Sequence, residues 1–179
     1  MIIEKEKIII RNAEEGDAEK LCSWWNDGSI MSAIGMPLGL NTTSESVIKK
    51  INNSEAEKLH IFMILYDNIP AGEMNYREKD VNSCLIGIKI CDPKMQNKGL
   101  GKVALSILIE HIFEKEGFET IIANMDLRNK KAQRAFEKLG FNKKSTDINS
   151  WMDQMGNMQS SVTYTLNKEN FISYADNIL

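Results

Sequence analysis

Residues 95–102 read MQNKGLGK, with Gly99 and Gly101 separated by one residue between a polar run and an apolar one. A helix that starts there presents unpaired N–H groups and the positive end of its dipole. Glycines let a large anion approach that backbone without meeting a side chain, so the junction suits a phosphate better than it suits a bare flexible turn. Lys94, Lys98 and Lys102 concentrate positive charge at this point in a chain whose formal net charge is −3. Two known phosphate loops are poor matches. A Walker loop needs GxxxxGK followed by a hydroxyl residue, and both the first glycine and the hydroxyl are missing. A dinucleotide fingerprint needs GxGxxG, and Ala104 takes the last position. Alanine is tolerated there, but the preceding strand comes late in the chain and no acidic ribose-binding residue follows in place.

Other reactive residues offer less. Cys22, Cys84 and Cys91 have no CxxC spacing and read as small buried hydrophobes in a reducing compartment. His60 and His111 are the only histidines and lie far apart, which argues against a zinc site, and no metal is expected. With 179 residues, 42% hydrophobic and 26% charged, the chain fits one globular domain. The acidic balance gives no reason to expect nucleic acid or an anionic membrane as partner. The start, MIIEKEKIIIRN, is broken by charges and is not a signal peptide, and no apolar run is long enough to span a bilayer. A cytoplasmic protein is expected.

The elements around the loop follow from periodicity. Residues 7–12 read as a first strand, and Asp17 as the N-cap of a helix with Glu19 in its first turn. Ala18, Leu21, Cys22 and Trp25 form one face of that helix, with Trp24 beside the stripe and partly buried. Residues 35–43 form a loop, and 44–53 a second helix with Val47, Ile48 and Ile51 inward. Residues 59–66 read as a strand buried on both faces, paired through a turn at 67–70 with 71–77. Residues 83–91 form a third β run in which Gly87 marks a bulge or a close approach of another group. A largely apolar helix spans about 100–115 and stops at Gly117. A buried strand over 120–127, a helix over 130–139 capped by Asn129 and ended by Gly140, and an antiparallel pair over 141–151 and 160–166 complete the chain. The strand–helix–strand passage through 83–127 implies a parallel crossover.

The remaining match for the loop is Gln96-x-x-Gly99-x-Gly101, which fits the [Q/R]xxGx[G/A] pyrophosphate loop. Here the chain resembles the GNAT superfamily, the Gcn5-related N-acetyltransferases. DPKMQNKGLG resembles the family's strand end and loop, and NKKAQRAFEKLGF its NxxAxxxYxKxGF segment. EEGDAEKLCSWWND resembles the N-terminal helix of the branch with ribosomal-protein N-terminal and aminoglycoside 6′-N-acetyltransferases. The match covers nearly the whole chain. It implies an α/β fold, a single GNAT-type domain over 1–179 with its core at about 7–168. It also implies a mixed twisted sheet with a splayed central strand pair and about four helices.

The resemblance further implies acetyl-CoA as acetyl donor and direct transfer to a primary amine. The pantetheine arm would lie along Ile88, Lys89 and Ile90, whose N–H groups point at the thioester carbonyl as an oxyanion hole. The pyrophosphate would rest on Gln96, Asn97, Lys98, Gly99, Leu100, Gly101 and Lys102. Asn129 would bond the pantetheine arm while also capping its helix. Ala132 and Phe136 on that helix would border the arm, and Lys131 and Lys138 would reach CoA phosphates or simply face solvent. The proton-handling residues depart from the family: Phe136 stands where many relatives have the acid Tyr, and Leu85 where some have Glu. Glu73, Asp126 and Tyr164 are the substitute catalytic candidates, and an unaided water relay is the alternative. Trp24, Trp151 and Asp153 are candidates for the acceptor side, where Trp and a carboxylate suit an aliphatic amine. The acceptor expected is a small-molecule or peptide amine, and a homodimer is compatible with this reading. The missing acid and base also admit a non-catalytic acyl-CoA-binding module.

Overall fold

The computed structural model describes residues 1–176. Strands β1 (Ile2–Lys5), β2 (Ile8–Asn12), β3 (Leu59–Tyr66), β4 (Ile69–Asp80), β5 (Ser83–Ile90), β6 (Thr120–Asp126), β7 (Asn142–Met152) and β8 (Met158–Asn167) form one sheet in the order β1-β2-β3-β4-β5-β6-β8-β7. Every neighbouring pair is antiparallel except β5 and β6. The helices are α1 (Ala18–Asn26), α2 (Gly28–Met31), α3 (Ser44–Asn52), α4 (Ser54–Glu57), α5 (Leu100–His111) and α6 (Lys130–Lys138).

Alternation along the strands divides the core into two layers. Phe62, Ile64, Met74 and Ile86 face the α5 side and pack with Leu100, Ala104, Leu108 and Ile112. Ile61, Met63 and Cys91 face the other side and pack with Leu21, Trp24, Trp25 and Val47 from α1 and α3. Each large apolar side chain fully buried in this way stabilises the fold by about 1.5–3 kcal/mol. Helix α5 is buried around most of its girth because it lies under the middle of the sheet. It ends in a π turn over Ile112–Glu116, closed by Gly117 at φ 76°. The β3–β4 hairpin turns on Asp67 and Asn68, both at positive φ, a geometry that matches the twist of the flanking strands.

Several expectations change. The chain begins with an additional strand: β1 pairs with β2, and because it is short and half exposed it carries no strong hydrophobic period. The helix count rises to six among the described residues, because α2 and α4 are single turns too short to show a periodic stripe. Asp17 does not cap α1 with its side chain. Its carboxylate instead accepts two bonds from the Arg11 guanidinium, at 2.6 and 2.8 Å, and one from the Glu14 N–H at 2.9 Å. Gly87 is not a bulge; the β4–β5 register shifts between Glu78 and Asp80 instead. A β-carbon on Gly87 would lie 3.3 Å from the Asn75 amide, so close approach is its role.

Candidate functional site

The parallel contact between β5 and β6 is brief. It joins Ser83, Cys84 and Leu85 to Thr120, Ile121 and Ile122 and then stops. Strand β5 continues to Ile90 against β4, and β6 continues to Asp126 against β8. The two strands therefore part, and among the described residues the edge of β5 that faces β6 has no strand partner from Ile86 onward. Loop 96–102 stands at the open end of this wedge.

The loop is shaped by its own residues. Asp92 accepts a bond from the Lys94 N–H, and Pro93 starts a 3-10 turn over Pro93–Met95. Gln96 donates from Nε2 to the Ile90 carbonyl at 2.9 Å, tying the loop to the end of β5. Asn97 at φ 63° and Gly99 at φ 90° take left-handed conformations that turn the chain into α5. The Gln96 N–H is bonded to the Pro93 carbonyl and the Lys102 N–H to that of Gly99. Among the described residues, the five N–H groups from Asn97 to Gly101 have no such partner. Within the expected loop 96–102, the N–H groups without a backbone partner are therefore those of 97–101. A β-carbon on Gly101 would make only ordinary contact with Ile90 and Ile88, at 3.5 and 3.9 Å. Packing within the protein does not require glycine at that position.

A cavity of about 420 Å³ runs from the loop into the wedge. It is lined by Ile88, Lys89 and Ile90, by the loop residues Gln96, Asn97, Gly99, Leu100, Gly101 and Lys102, and by Asn129, Ala132 and Phe136. Lys98 is exposed and lies outside this lining. Asn129 caps α6 by accepting from the Ala132 N–H at 3.0 Å, and it borders the cavity as well. Phe136 packs edge-on to Phe141, with ring centroids 4.9 Å apart. Outside the mouth, Lys102, Lys131, Arg134 and Lys138 line a hollow of about 360 Å³. Arg134 was missed in the sequence, although its spacing from Lys131 and Lys138 puts all three on one helix face.

A second cavity, of about 610 Å³, opens on the α1–α3 side of the sheet. Asn75, Leu85, Gly87 and Lys89 border it, along with Asp126 from β6, Asp147 and Trp151 from β7, and Ala33 and Ile34 from the segment after α2. Lys89, Ile88, Asn129, Ala132 and Phe136 border both cavities, so the two meet where β5 and β6 part. The Trp151 ring lies against Gly35, where a β-carbon would come within 2.2 Å of it. Gln154 fastens the same loop by accepting from the Leu38 N–H and donating to the Gly39 carbonyl, both at 2.8 Å.

The candidates chosen for proton handling and acceptor binding fare unevenly. Asp126 reaches the second cavity, but its carboxylate is engaged by the Arg128 guanidinium and N–H. That bonding holds the Asp126 carboxyl below its ordinary pKa. Glu73 borders neither cavity: it lies beneath Lys89 and Trp25, bonded to Lys89 Nζ at 2.5 Å and Trp25 Nε1 at 2.9 Å. Tyr164 points away from the wedge and donates to Glu137 at 2.7 Å, since its strand position faces α6. Burial pushes its hydroxyl up to about 12, with the Glu137 bond adding to the effect. Trp24 is only 6% exposed and belongs to the core, with Lys20 Nζ 5.4 Å above its ring. Asp153 shapes the β7–β8 turn, accepting from the N–H groups of Met155 and Asn157 and from Gln159. Of the three acceptor candidates only Trp151 lines the cleft. Burial also pushes the Cys84 and Cys91 thiols up to about 12, which leaves them poor nucleophiles. Among the described residues, no group of three or more His, Cys, Asp or Glu side chains is placed to hold a metal.

One splayed parallel strand pair in an α/β sheet, a donor-rich loop at its mouth and two cavities that meet there make up the candidate site. Residues 7–142 match the family model described as the acetyltransferase (GNAT) domain, so the chain belongs to the GNAT acetyltransferase family and acetyl transfer is its class of reaction. A search among curated proteins finds no match to the sequence. Solved structures share the fold. The RimL ribosomal L7/L12 alpha-N-protein acetyltransferase in complex with coenzyme A superposes with a TM-score of 0.82 at 14% identity, over 93% of this chain and 98% of that one. The spermidine N-acetyltransferase from Vibrio cholerae in complex with CoA and spermine gives 0.82 at 18%, over 93% and 98%. A GNAT-family acetyltransferase from Bacillus anthracis gives 0.77 at 23%, over 94% and 99%.

Proposed function

We propose that the chain is an acetyl-CoA-dependent N-acetyltransferase that transfers the acetyl group directly to a primary amine of a small molecule or peptide. One observation carries this reading: the wedge between β5 and β6 opens between a five-donor backbone cradle and a second, carboxylate-bearing cavity. In this reading the N–H groups of 97–101 hold the pyrophosphate, and the free edge of β5 at Ile88, Lys89 and Ile90 holds the pantetheine arm. Asn129, Ala132 and Phe136 close its far side. Lys102, Lys131, Arg134 and Lys138 lie outside the cradle, where charge complementarity suits the outer phosphate of CoA. The acceptor enters from the α1–α3 side, where Asp147 and Trp151 favour a cationic amine. Three unpaired cysteines support a cytoplasmic setting. No helix among the described residues is long and apolar enough to cross a membrane. A homodimer through β7 is part of the proposal, because β7 is an edge strand that exposes Ile148 and Met152.

The test is thiol release from acetyl-CoA against a panel of diamines, amino sugars and peptides with free α-amines. Turnover with at least one amine, and none without amine, is the expected result. Tight CoA binding with no turnover for any amine sinks the catalytic reading and makes the chain an acyl-CoA-binding module, as Phe136 and Leu85 in place of the family's acid and base would then explain.

A further inference from the structure

The side chain of Lys89 is buried against a carboxylate beside the wedge. Strand parity sets its direction: Ile86, Ile88 and Ile90 pack on the α5 side, while Lys89 turns with Cys91 toward α1 and α3. Its side chain is only 18% exposed, and that of its partner Glu73 is 2% exposed. The register places the two residues directly opposite each other on β4 and β5. Glu73 is fixed from the other side by the Trp25 indole N–H. Lys89 is thus held by a buried carboxylate at the point where the two cavities meet.

Resting on the acetyl-transfer reading above, we propose that Lys89 is a catalytic cation that stabilises the charge developing on the thioester and leaving thiolate, with Glu73 as its positioning counter-ion. The amine nitrogen forms a bond to the thioester carbon, and the C–S bond breaks with its electron pair on sulfur. The proton lost by the amine leaves to water in the cleft. Lys89 takes no part in the proton transfer; it acts through its charge, and its ammonium group stays bonded to Glu73. Its contribution is a positive charge held in a largely buried place, where it acts more strongly on a transition state than it would in bulk water. The same charge disfavours the protonated form of the incoming amine, and only the neutral form can attack. Other ionisable groups around it are Cys91 on its own strand, Lys20 on α1, and Asp126 and Asp147 across the cleft. These two carboxylates border the second cavity, and among the described residues Glu73 is the one carboxylate bonded to Lys89. This arrangement also supplies a charged group where the sequence lacks the family's acid, Phe136 being unable to donate.

The experiment compares wild type, Lys89→Met and the double variant Lys89→Met/Glu73→Met. It measures thermal stability, CoA affinity, and kcat and KM as functions of pH, with the best amine from the panel. Lys89→Met is expected to lose about 100-fold in kcat, with CoA affinity within about threefold. The acid limb of its kcat profile is expected to move up by about one pH unit, because the bound amine is no longer beside a cation. The double variant removes both charges and leaves no orphan carboxylate, so it should recover stability and remain as slow as the single variant. Recovery of turnover in the double variant would show a merely structural pair and overturn the proposal. So would an unchanged kcat and pH profile in Lys89→Met. Absence of turnover in the wild type is a different failure, that of the acetyl-transfer reading itself.

Discussion

Replacing Gly101 with alanine separates what the loop does for the fold from what it does for a ligand. Gly101 is the second residue of α5 and does not adopt a positive φ. A methyl group there meets Ile90 and Ile88 at 3.5 and 3.9 Å, which is ordinary contact. The free protein should therefore gain stability, by about 0.4–1 kcal/mol, because alanine gives up less backbone freedom than glycine on folding. For a chain of this size that corresponds to a rise in Tm of about 1–4 °C. The methyl group also projects into the cavity that leads from the cradle along β5. A tenfold loss of CoA affinity, about 1.4 kcal/mol, is the expected minimum. Acetyl-CoA at about 100 times its Kd stabilises the wild type by about 2.7 kcal/mol, and the same concentration should stabilise the variant by no more than about 1.4 kcal/mol. Thermal melts with and without acetyl-CoA read both effects at once. A variant with a higher Tm alone and a roughly halved ligand shift fits the argument. An undiminished ligand shift would refute the phosphate role of this loop, and a free protein several degrees less stable would show that glycine is there for packing.

Gly99→Ala should behave differently, since φ 90° is left-handed and alanine there costs about 1–2 kcal/mol, lowering the Tm of the free protein. Asn129→Ala should remove the α6 cap, costing about 1 kcal/mol in urea unfolding, and should raise the Kd for CoA; a stability loss alone would leave Asn129 as a cap only. Arg134→Glu with Lys138→Glu should weaken CoA binding steeply at low salt and progressively less as salt is added, by calorimetry. The Asp126 carboxyl is held below its ordinary pKa chiefly by Arg128. Its contribution to stability is complete above the ordinary carboxyl pKa and is lost as pH falls through the lowered one. Arg128→Ala should therefore lower stability near neutral pH and leave it unchanged at the acid extreme, as read from denaturant titrations at several pH values.

Local order carried much of the fold into the sequence. The strands at 59–66, 83–91 and 120–127 and the helices at about 100–115 and 130–139 are each marked by an apolar period and by a cap or stop residue that works over a few residues. The loop at 96–102 was legible for the same reason: Gln96, Gly99 and Gly101 act through backbone conformation and a helix start, both of which are local. Strand β1 and the single-turn helices α2 and α4 were not legible. Their hydrogen bonds exist because neighbouring elements hold them in place, and too few of their residues are buried to leave a pattern.

The sequence alone made the candidate donor side legible: the glycine-bearing loop at 96–102, the Asn129 cap, the crossover that brings the loop beside β5, and Phe136 and Leu85 in place of the usual Tyr and Glu. The tertiary structure decided everything that depends on which side chains face each other across strands and between layers. It drew Tyr164 away to Glu137 and put Trp24 into the core. It also placed Glu73 under Lys89, residues 16 positions apart that became partners only through the β4–β5 register. Side-chain direction in a strand reverses with every residue, so a face can be read only once pairing fixes it. The loop, whose shape is set by its own backbone, could be found without that information, and the Lys89–Glu73 pair could not.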